Sequence, residues 1–178
     1  MNIGAIRILG VDPGLRNTGW GVIGSAGSRL AFVACGSIHT ETGMELAERL
    51  ALIHRELSGL IARLEPDEGA VEETFVNRDP QSALKLGQAR GVALAALSLG
   101  GLRVAEYSAN LIKKTVVGVG HAEKEQVAMM VKMLLPASNA KTPDAADALA
   151  VAICHIHTAQ TLEGQGIRDQ GSGVRDQK

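Results

Sequence analysis

The feature that most constrains the fold is a long apolar stripe between residues 46 and 64. Its hydrophobic residues recur every three or four positions, which is the period of a helix with one buried face. The stripe consists of Leu46, Leu50, Ile53, Leu57, Leu60, Ile61 and Leu64. Pro66 ends the helix, and the short apolar segment Gly69–Glu73 follows as a strand. A strand that is reached through a helical crossover is expected to run parallel to the first strand.

The segments on either side of this helix predict an α/β chain. Three β-compatible segments precede it as an antiparallel meander: Arg7–Val11, Thr18–Gly24 and Leu30–Ile38. The segments that follow it are a helix from a Ser82 cap to Leu99, a strand at Arg103–Tyr107, and helices at Ala109–Val117, at Glu123–Leu135 and from Thr142-Pro143 to about His157. We therefore predict an α/β fold with a five-stranded mixed β-sheet flanked by α-helices.

Composition indicates a globular protein, because 46% of the 178 residues are hydrophobic and 21% are charged. No apolar run reaches the roughly 18 residues that a membrane crossing needs, and the N-terminus shows no signal-peptide pattern. Cys35 and Cys154 lie far apart, which predicts buried thiols and a cytoplasmic location. We expect one domain at 1–160 and a flexible tail at 161–178, in which GIRDQ returns as GVRDQ.

Charge is unevenly distributed along the chain, whose net charge is −1. Between Arg78 and Lys132 there are eight basic and four acidic residues, an excess of four positive charges that leaves the remainder at −5. A basic segment can grip phosphates while an acidic one holds cations, although an ordinary patchy surface would show the same pattern.

Four carboxylates occupy positions that suit a metal site, and each of them also has a structural explanation. Asp12 ends the first strand in the motif VDPG, where it could equally cap its own turn. Glu72 lies in a short apolar strand, where a buried acid needs compensation unless the strand end is solvated. Asp144 and Asp147 share one helix face; the helix dipole explains Asp144 well, but it explains Asp147, which lies among alanines, poorly.

Together the four carboxylates predict a site for divalent cations at one edge of the sheet. Carboxylates from the first strand, the parallel strand and the last helix can converge there, and oxygen ligands suit Mg²⁺ or Mn²⁺. Two such ions about 3.5–4 Å apart can activate a water and stabilise the leaving oxygen of a phosphodiester. No Cys/His cluster supports zinc, since His155 and His157 are two apart on a helix and point in different directions.

Several strings resemble the crossover junction endodeoxyribonucleases of the RuvC family. They are DPG at 12–14 with Thr18-Gly19, VEETF at 71–75, SALKLGQARG at 82–91, KTVVGVG at 114–120, AEK at 122–124 and DAADALA at 144–150. The match covers about residues 7–158 in the family's order, and the strings at 82–91 and 115–120 are the most specific. The loop at 76–81 differs from known relatives, which leaves the preferred cleavage sequence open.

The resemblance implies a ribonuclease H-like fold and a homodimer that resolves four-way Holliday junctions. It implies paired symmetric nicks that leave 5′-phosphate ends, and RuvA and RuvB as branch-migration partners. It also implies two Mg²⁺ ions per active site, with Mn²⁺ as a plausible substitute, held by Asp12, Glu72, Asp144 and Asp147. The family's two important lysines match Lys113 and Lys124, whose other explanation is a solvated surface position.

The predicted DNA contacts combine the resemblance with the basic segment. Phe75 matches the aromatic residue that stacks on junction bases in the family, although it could also belong to the core. The other predicted contacts are Arg78, Lys85, Arg90, Lys113, Lys114 and Lys124.

Three other functions remain open at this point. One is a related ribonuclease H-like nuclease that acts on RNA, since fold alone does not decide the substrate. Another is a non-catalytic junction-binding protein, although the complete set of four acids argues against lost catalysis. The third is an ATP-binding kinase of the actin-like superfold, which would need a second phosphate-binding turn and usually a longer chain.

Overall fold

The computed structural model describes residues 6–27, 29–73 and 79–164 of the chain. Phe75, Arg78 and the part of the predicted tail beyond residue 164 lie outside the described residues. The strands are β1 (Ile6–Asp12), β2 (Asn17–Ala26), β3 (Arg29–His39), β4 (Glu68–Glu73) and β5 (Arg103–Ser108). The helices are α1 (Leu46–Leu64), α2 (Pro80–Leu99), α3 (Ala109–Val117), α4 (Lys124–Leu134) and α5 (Pro143–Gly164).

The five strands form one mixed sheet in the order β3-β2-β1-β4-β5. The β1–β2 and β2–β3 pairs are antiparallel, whereas β4 runs parallel to both β1 and β5. The prediction that the strand after α1 runs parallel to the first strand is therefore confirmed. Val11 pairs with Val71, so the next residues, Asp12 and Glu72, come to the same edge of the sheet.

Helices cover both faces of the sheet. On one face, α1 and α2 pack over a core that includes Leu9, Val11, Ile53, Leu57 and Leu97. On the other face, α5 is the central helix, and α3 and α4 pack around it over a second core that includes Ile8, Ile23, Ile112, Val127, Leu149 and Ile153. This three-layer arrangement confirms the predicted α/β fold class.

Helix α5 lies directly on the sheet, because glycines leave no side chain between them. A Cβ atom added at Gly10 would lie 2.2 Å from the Ala148 carbonyl oxygen, and one at Gly19 would lie 2.0 Å from the Asp144 carbonyl oxygen. Gly19 pairs with Asp12 across β1 and β2. The first turn of α5 is therefore held against the edge of the sheet at which Asp12 lies.

The structure corrects two helix boundaries. Helix α2 begins at Pro80 and is capped by Asp79, whose carboxylate accepts hydrogen bonds from the backbone N–H groups of Gln81 and Ser82. The prediction of Ser82 as the cap was wrong, since its hydroxyl instead donates to Asp79. Helix α5 continues past His157 to Gly164, so the expected domain boundary at 160/161 falls within its last turn.

The two cysteines differ in their burial. Cys154 is buried, as predicted, but Cys35 is only half-buried on β3, and both thiols are free. Within the described residues, no helix combines the length and hydrophobicity needed to cross a membrane.

Candidate active site

An open cleft of about 310 Å³ lies at the edge of the sheet where β1 and β4 end. It brings together three of the four predicted carboxylates and both predicted catalytic lysines. The residues that line the cleft are Asp12, Glu72, Ala109, Ile112, Lys113, Lys124, Val127, Asp147 and Ala150. Charged groups thus face one another across walls that are otherwise apolar.

The loop that follows Asp12 is tied down by hydrogen bonds to successive carbonyl groups. Thr40 Oγ1 and Arg49 Nη2 donate to the Leu15 carbonyl oxygen at 2.5 and 3.2 Å, and Arg49 Nε donates to Thr40 Oγ1 at 2.8 Å. The carbonyls on either side accept from Thr18 Oγ1 (2.7 Å, to Gly14) and from the Thr40 N–H (3.0 Å, to Arg16). These bonds hold the backbone of residues 14–16, which lies just after Asp12, in one conformation.

The sequence gives no sign that Arg49 helps to hold the loop after Asp12. Helical periodicity shows only that Arg49 lies off the apolar stripe of α1, which is typical of a solvated residue. Its contact with Leu15 joins residues 34 positions apart. No local pattern in the sequence signals a contact of that range.

Burial and mutual repulsion make ionisation of the carboxylates costly in the metal-free protein. Burial, followed by repulsion from Glu72, Asp147 and Asp144, raises the pKa of Asp12 to about 8. Burial, followed by repulsion from Asp147, raises the pKa of Glu72 to about 7. Lys124 opposes both shifts, but it does not cancel them. A cation in the cleft would remove this cost.

The two lysines reach the cleft from different helices. Lys124, the first residue of α4, donates a hydrogen bond from Nζ to Asp147 Oδ2 at 3.1 Å, and this bond is the main cause of its raised pKa. Lys113, on α3, is half-buried and acts to lower the pKa of Glu72. Both amines therefore contribute positive charge to the cleft.

Asp144 occupies a position different from that of the other three acids. It lies in the first turn of α5, does not line the cleft, and acts electrostatically by raising the pKa of Asp12. Its backbone carbonyl faces Gly19. The helix-terminus explanation and the metal-ligand explanation thus both remain compatible with its position.

The other predicted DNA contacts lie outside the cleft. Lys85 and Lys114 are exposed on α2 and α3. Arg90, on α2, forms an ion pair with Glu106 of β5, and about a third of each side chain is exposed. A phosphate would have to compete with Glu106 for the Arg90 guanidinium.

The chemistry of the cleft fits a divalent cation such as Mg²⁺. The acidic donors are carboxylate oxygens. Burial, followed by repulsion from neighbouring acids, raises the pKa of Asp12 and of Glu72, and a bound cation would offset both effects. In the described part of the chain, no three acidic, histidine or cysteine side chains are already gathered around one point.

The raised pKa of Asp12 predicts how the stability of the metal-free protein depends on pH. The native state binds the proton of Asp12 up to a pH of about 8, whereas the unfolded chain releases it near the ordinary value of 3.8. Because the unfolded chain alone ionises between these values, the free energy of unfolding should fall as the pH rises from about 4 to about 8. The raised pKa of Glu72 acts in the same direction.

Chemical denaturation in the presence of a chelator measures this effect. The free energy of unfolding of the wild type should fall across this window, and that of the Asp12→Asn variant should fall less. Equal pH dependence in the two proteins would show that Asp12 ionises normally in the native state.

Comparison with known proteins identifies the family to which this chain belongs. Residues 8–155 match the family profile described as crossover junction endodeoxyribonuclease RuvC. A relative of that name from Methylocella silvestris is 72% identical over 155 residues, which are 87% of this chain and 88% of the relative. One from Xanthobacter autotrophicus is 62% identical over 157 residues, which are 88% and 93% of the two chains.

Solved structures of Holliday junction proteins have a fold similar to that of this chain. Thermus thermophilus RuvC, in a complex with a Holliday junction substrate, superposes with a TM-score of 0.81 at 33% identity, covering 88% of this chain and 96% of that one. The yeast mitochondrial Holliday junction resolvase Ydc2, at 12% identity and a TM-score of 0.68 over 89% and 82% of the chains, shares the fold. By sequence profile, close relatives and fold, the chain belongs to the RuvC family of crossover junction endodeoxyribonucleases.

Proposed function

We propose that this chain is a structure-specific DNA endonuclease that resolves four-way Holliday junctions in recombination and repair. The observation that carries the proposal is the cleft in which Asp12, Glu72 and Asp147 face Lys113 and Lys124. Membership of the RuvC family supports the junction as the substrate, because a family member from T. thermophilus has been solved with one. An ATP-binding kinase of the actin-like superfold is not supported by these comparisons.

The carboxylates are proposed to hold the metal ions. Asp12, Glu72 and Asp147 would bind two Mg²⁺ ions, with Asp144 as the fourth acid and Mn²⁺ as a substitute. When bound, such ions supply an activated water and stabilise the leaving 3′ oxygen of the phosphodiester, which leaves a 5′-phosphate end. The tied loop after Asp12 and the close packing of α5 keep the carboxylates in place for this role.

The lysines are proposed to hold the scissile phosphate. The Lys124 side chain is 75% exposed, whereas that of its partner Asp147 is 22% exposed, so the amine reaches into the cleft from its rim. There it can exchange Asp147 for a phosphate oxygen, while Lys113 offers a second positive charge from α3. Positive groups placed where negative charge develops lower the barrier to phosphodiester cleavage.

The DNA-binding surface is proposed to extend beyond the cleft. The exposed Lys85 and Lys114 would contact backbone phosphates, and Phe75 and Arg78 would act at the junction itself. Arg90 would join them only by exchanging Glu106 for a phosphate.

Two symmetric nicks need two active sites, which favours a homodimer. A four-way junction presents two equivalent strands, and a two-fold dimer would place one cleft on each. Helix α2 offers an exposed apolar surface for such contact, since Leu84 is 66% exposed and the space beside Gly87 and Gly91 is open. We further propose RuvA and RuvB as partners and the cytoplasm as the location. The flexible tail, expected at 161–178, is proposed to begin only after α5 ends at Gly164.

A comparison of substrates tests the proposed function. Four-way DNA junctions, linear DNA duplexes and RNA–DNA hybrids of matched sequence are incubated with the protein and Mg²⁺. We expect cleavage of the junction at a rate at least a hundredfold above that of either linear substrate. Preferred cleavage of the hybrid would favour the RNA-directed alternative, and tight junction binding without cleavage would favour the non-catalytic one.

A further inference from the structure

We propose that the hydrogen-bonded side chains of Glu68, Tyr107 and His155 set the position of α5 along the sheet. We call this group of three side chains the pin. The pin makes His155 a positioning residue, because it holds Asp147 of α5 level with Glu72 of β4. The inference rests on the proposed function, in that it assigns these three residues to the support of the metal site.

The three side chains form a continuous hydrogen-bonded chain between the sheet and α5. The Tyr107 hydroxyl lies 2.8 Å from His155 Nδ1, and His155 Nε2 lies 2.6 Å from Glu68 Oε2. The rings of Tyr107 and His155 meet edge to face, with their centroids 5.7 Å apart. Tyr107 and His155 are only 9% and 7% exposed. This chain therefore crosses the core between β4, β5 and α5.

One protonation pattern satisfies every group in the chain. The phenol donates to Nδ1, and the Nε2–H donates to the Glu68 carboxylate, so that each group has a partner. Burial raises the pKa of Tyr107 to about 12, so the phenol remains a donor at any ordinary pH. Hydrogen bonds in a low-dielectric interior are strong and directional, and breaking one leaves a buried polar group without a partner.

The contact between α5 and Gly10 of β1 is close but involves only small groups. A Cβ at Gly10 would meet the Ala148 carbonyl at 2.2 Å and the Ala152 nitrogen at 2.7 Å. Larger side chains of α5, such as Leu149 and Ile153, pack in the surrounding core. All of these contacts are van der Waals contacts, which are not directional, whereas hydrogen bonds tie a particular residue of α5 to a particular residue of the sheet.

The spacing of the residues on the two elements explains what the pin sets. Helix α5 runs antiparallel to β1, since Asp144 faces Gly19 near the cleft whereas Ala152 faces Gly10 further from it. Along β4, Glu68 and Glu72 are four residues apart, or about 13 Å. Along α5, Asp147 and His155 are eight residues apart, or about 12 Å. With His155 held at Glu68, Asp147 therefore comes level with Glu72.

The effect of this alignment is visible at the cleft. Glu72 and Asp147 both line it, and Asp147 is the largest charged contributor to the raised pKa of Glu72. His155 does not line the cleft and lies about two helical turns from Asp147 along α5 by the same helical rise. The pin can act on the metal site only through the positions of α5 and β4.

Binding of Mn²⁺ to the full-length, metal-free protein, measured by isothermal titration calorimetry, tests the pin without relying on activity. We expect Glu68→Ala to raise the Mn²⁺ dissociation constant about tenfold, as loss of a supporting contact typically does. Glu68→Gln keeps an acceptor for the Nε2–H and should stay within about twofold of wild type. In junction cleavage, Glu68→Ala should raise the half-saturating Mn²⁺ concentration while leaving the rate at saturating Mn²⁺ near that of wild type.

A packing variant on the same helix turn is the matched control. Ile156→Val removes one buried methylene next to His155 and should lower the melting temperature without changing Mn²⁺ affinity. The pin is refuted if Glu68→Ala binds Mn²⁺ as wild type does, or if Ile156→Val weakens binding equally. If the wild type itself binds no Mn²⁺, the proposed metal site fails, and the pin fails with it.

Discussion

Replacement of Asp12 by Asn should abolish junction cleavage while leaving junction binding intact. The substitution keeps the shape of the side chain but removes a carboxylate that lines the cleft and is proposed to bind the metal. Metal ions stabilise the transition state of phosphodiester cleavage by several kcal/mol, so their loss or displacement should slow the reaction by about a thousandfold or more. Junction binding is proposed to depend on phosphate contacts of the basic residues, which the substitution leaves unchanged.

Single-turnover cleavage at saturating protein, alongside a mobility-shift assay in a chelator, separates the two effects. Glu73→Gln is the matched control, because Glu73 follows Glu72 on β4 and its side chain points to the opposite face of the sheet. It should cleave at nearly the wild-type rate. Cleavage by the Asp12→Asn variant at the wild-type rate would remove Asp12 from the chemistry.

Replacement of Lys124 by Ala should reduce the cleavage rate by about a hundredfold to a thousandfold, the usual cost of removing one group that stabilises developing charge. The Lys124 amine lies 3.1 Å from Asp147, and its raised pKa keeps it positively charged. Junction affinity should fall far less, since one phosphate contact among many is lost.

Lys114→Ala provides the comparison for Lys124, because Lys114 is an exposed lysine near the cleft that does not line it. It should weaken junction binding modestly and leave the single-turnover rate at saturation within about threefold of wild type. Equal rate losses in the two variants would show that Lys124 contributes only general positive charge.

The fold could be predicted largely from local patterns. The stripe of α1, the ends of β1 and β4 and the helical crossover between them define a parallel pair, and the structure has that pair at the centre of the sheet. The start of α2 was predicted wrongly. Asp79 and Ser82 are both residue types that favour the N-cap position. Pro80 favours the first helical position, and this places the cap at Asp79.

The site was harder to predict because its parts come together only in three dimensions. Asp12 and Glu72 each have an ordinary structural explanation, and Asp147 has a weak one. The strand register and the packing of α5 bring the three into one cleft. The sequence pattern gives no sign of the contacts that Arg49 and His155 make in the fold. Their partners, Leu15 and Glu68, are 34 and 87 positions away, and no periodicity reports a contact of that kind.

The most direct test of the account is to map the cuts made in a synthetic four-way junction, labelled in turn on each strand, with and without Mg²⁺. We predict two nicks at symmetric positions in opposite strands, with 5′-phosphate ends, and none when Mg²⁺ is withheld. Cuts that persist in a chelator, or products with 5′-hydroxyl ends, would contradict metal-dependent cleavage by the carboxylates of this cleft.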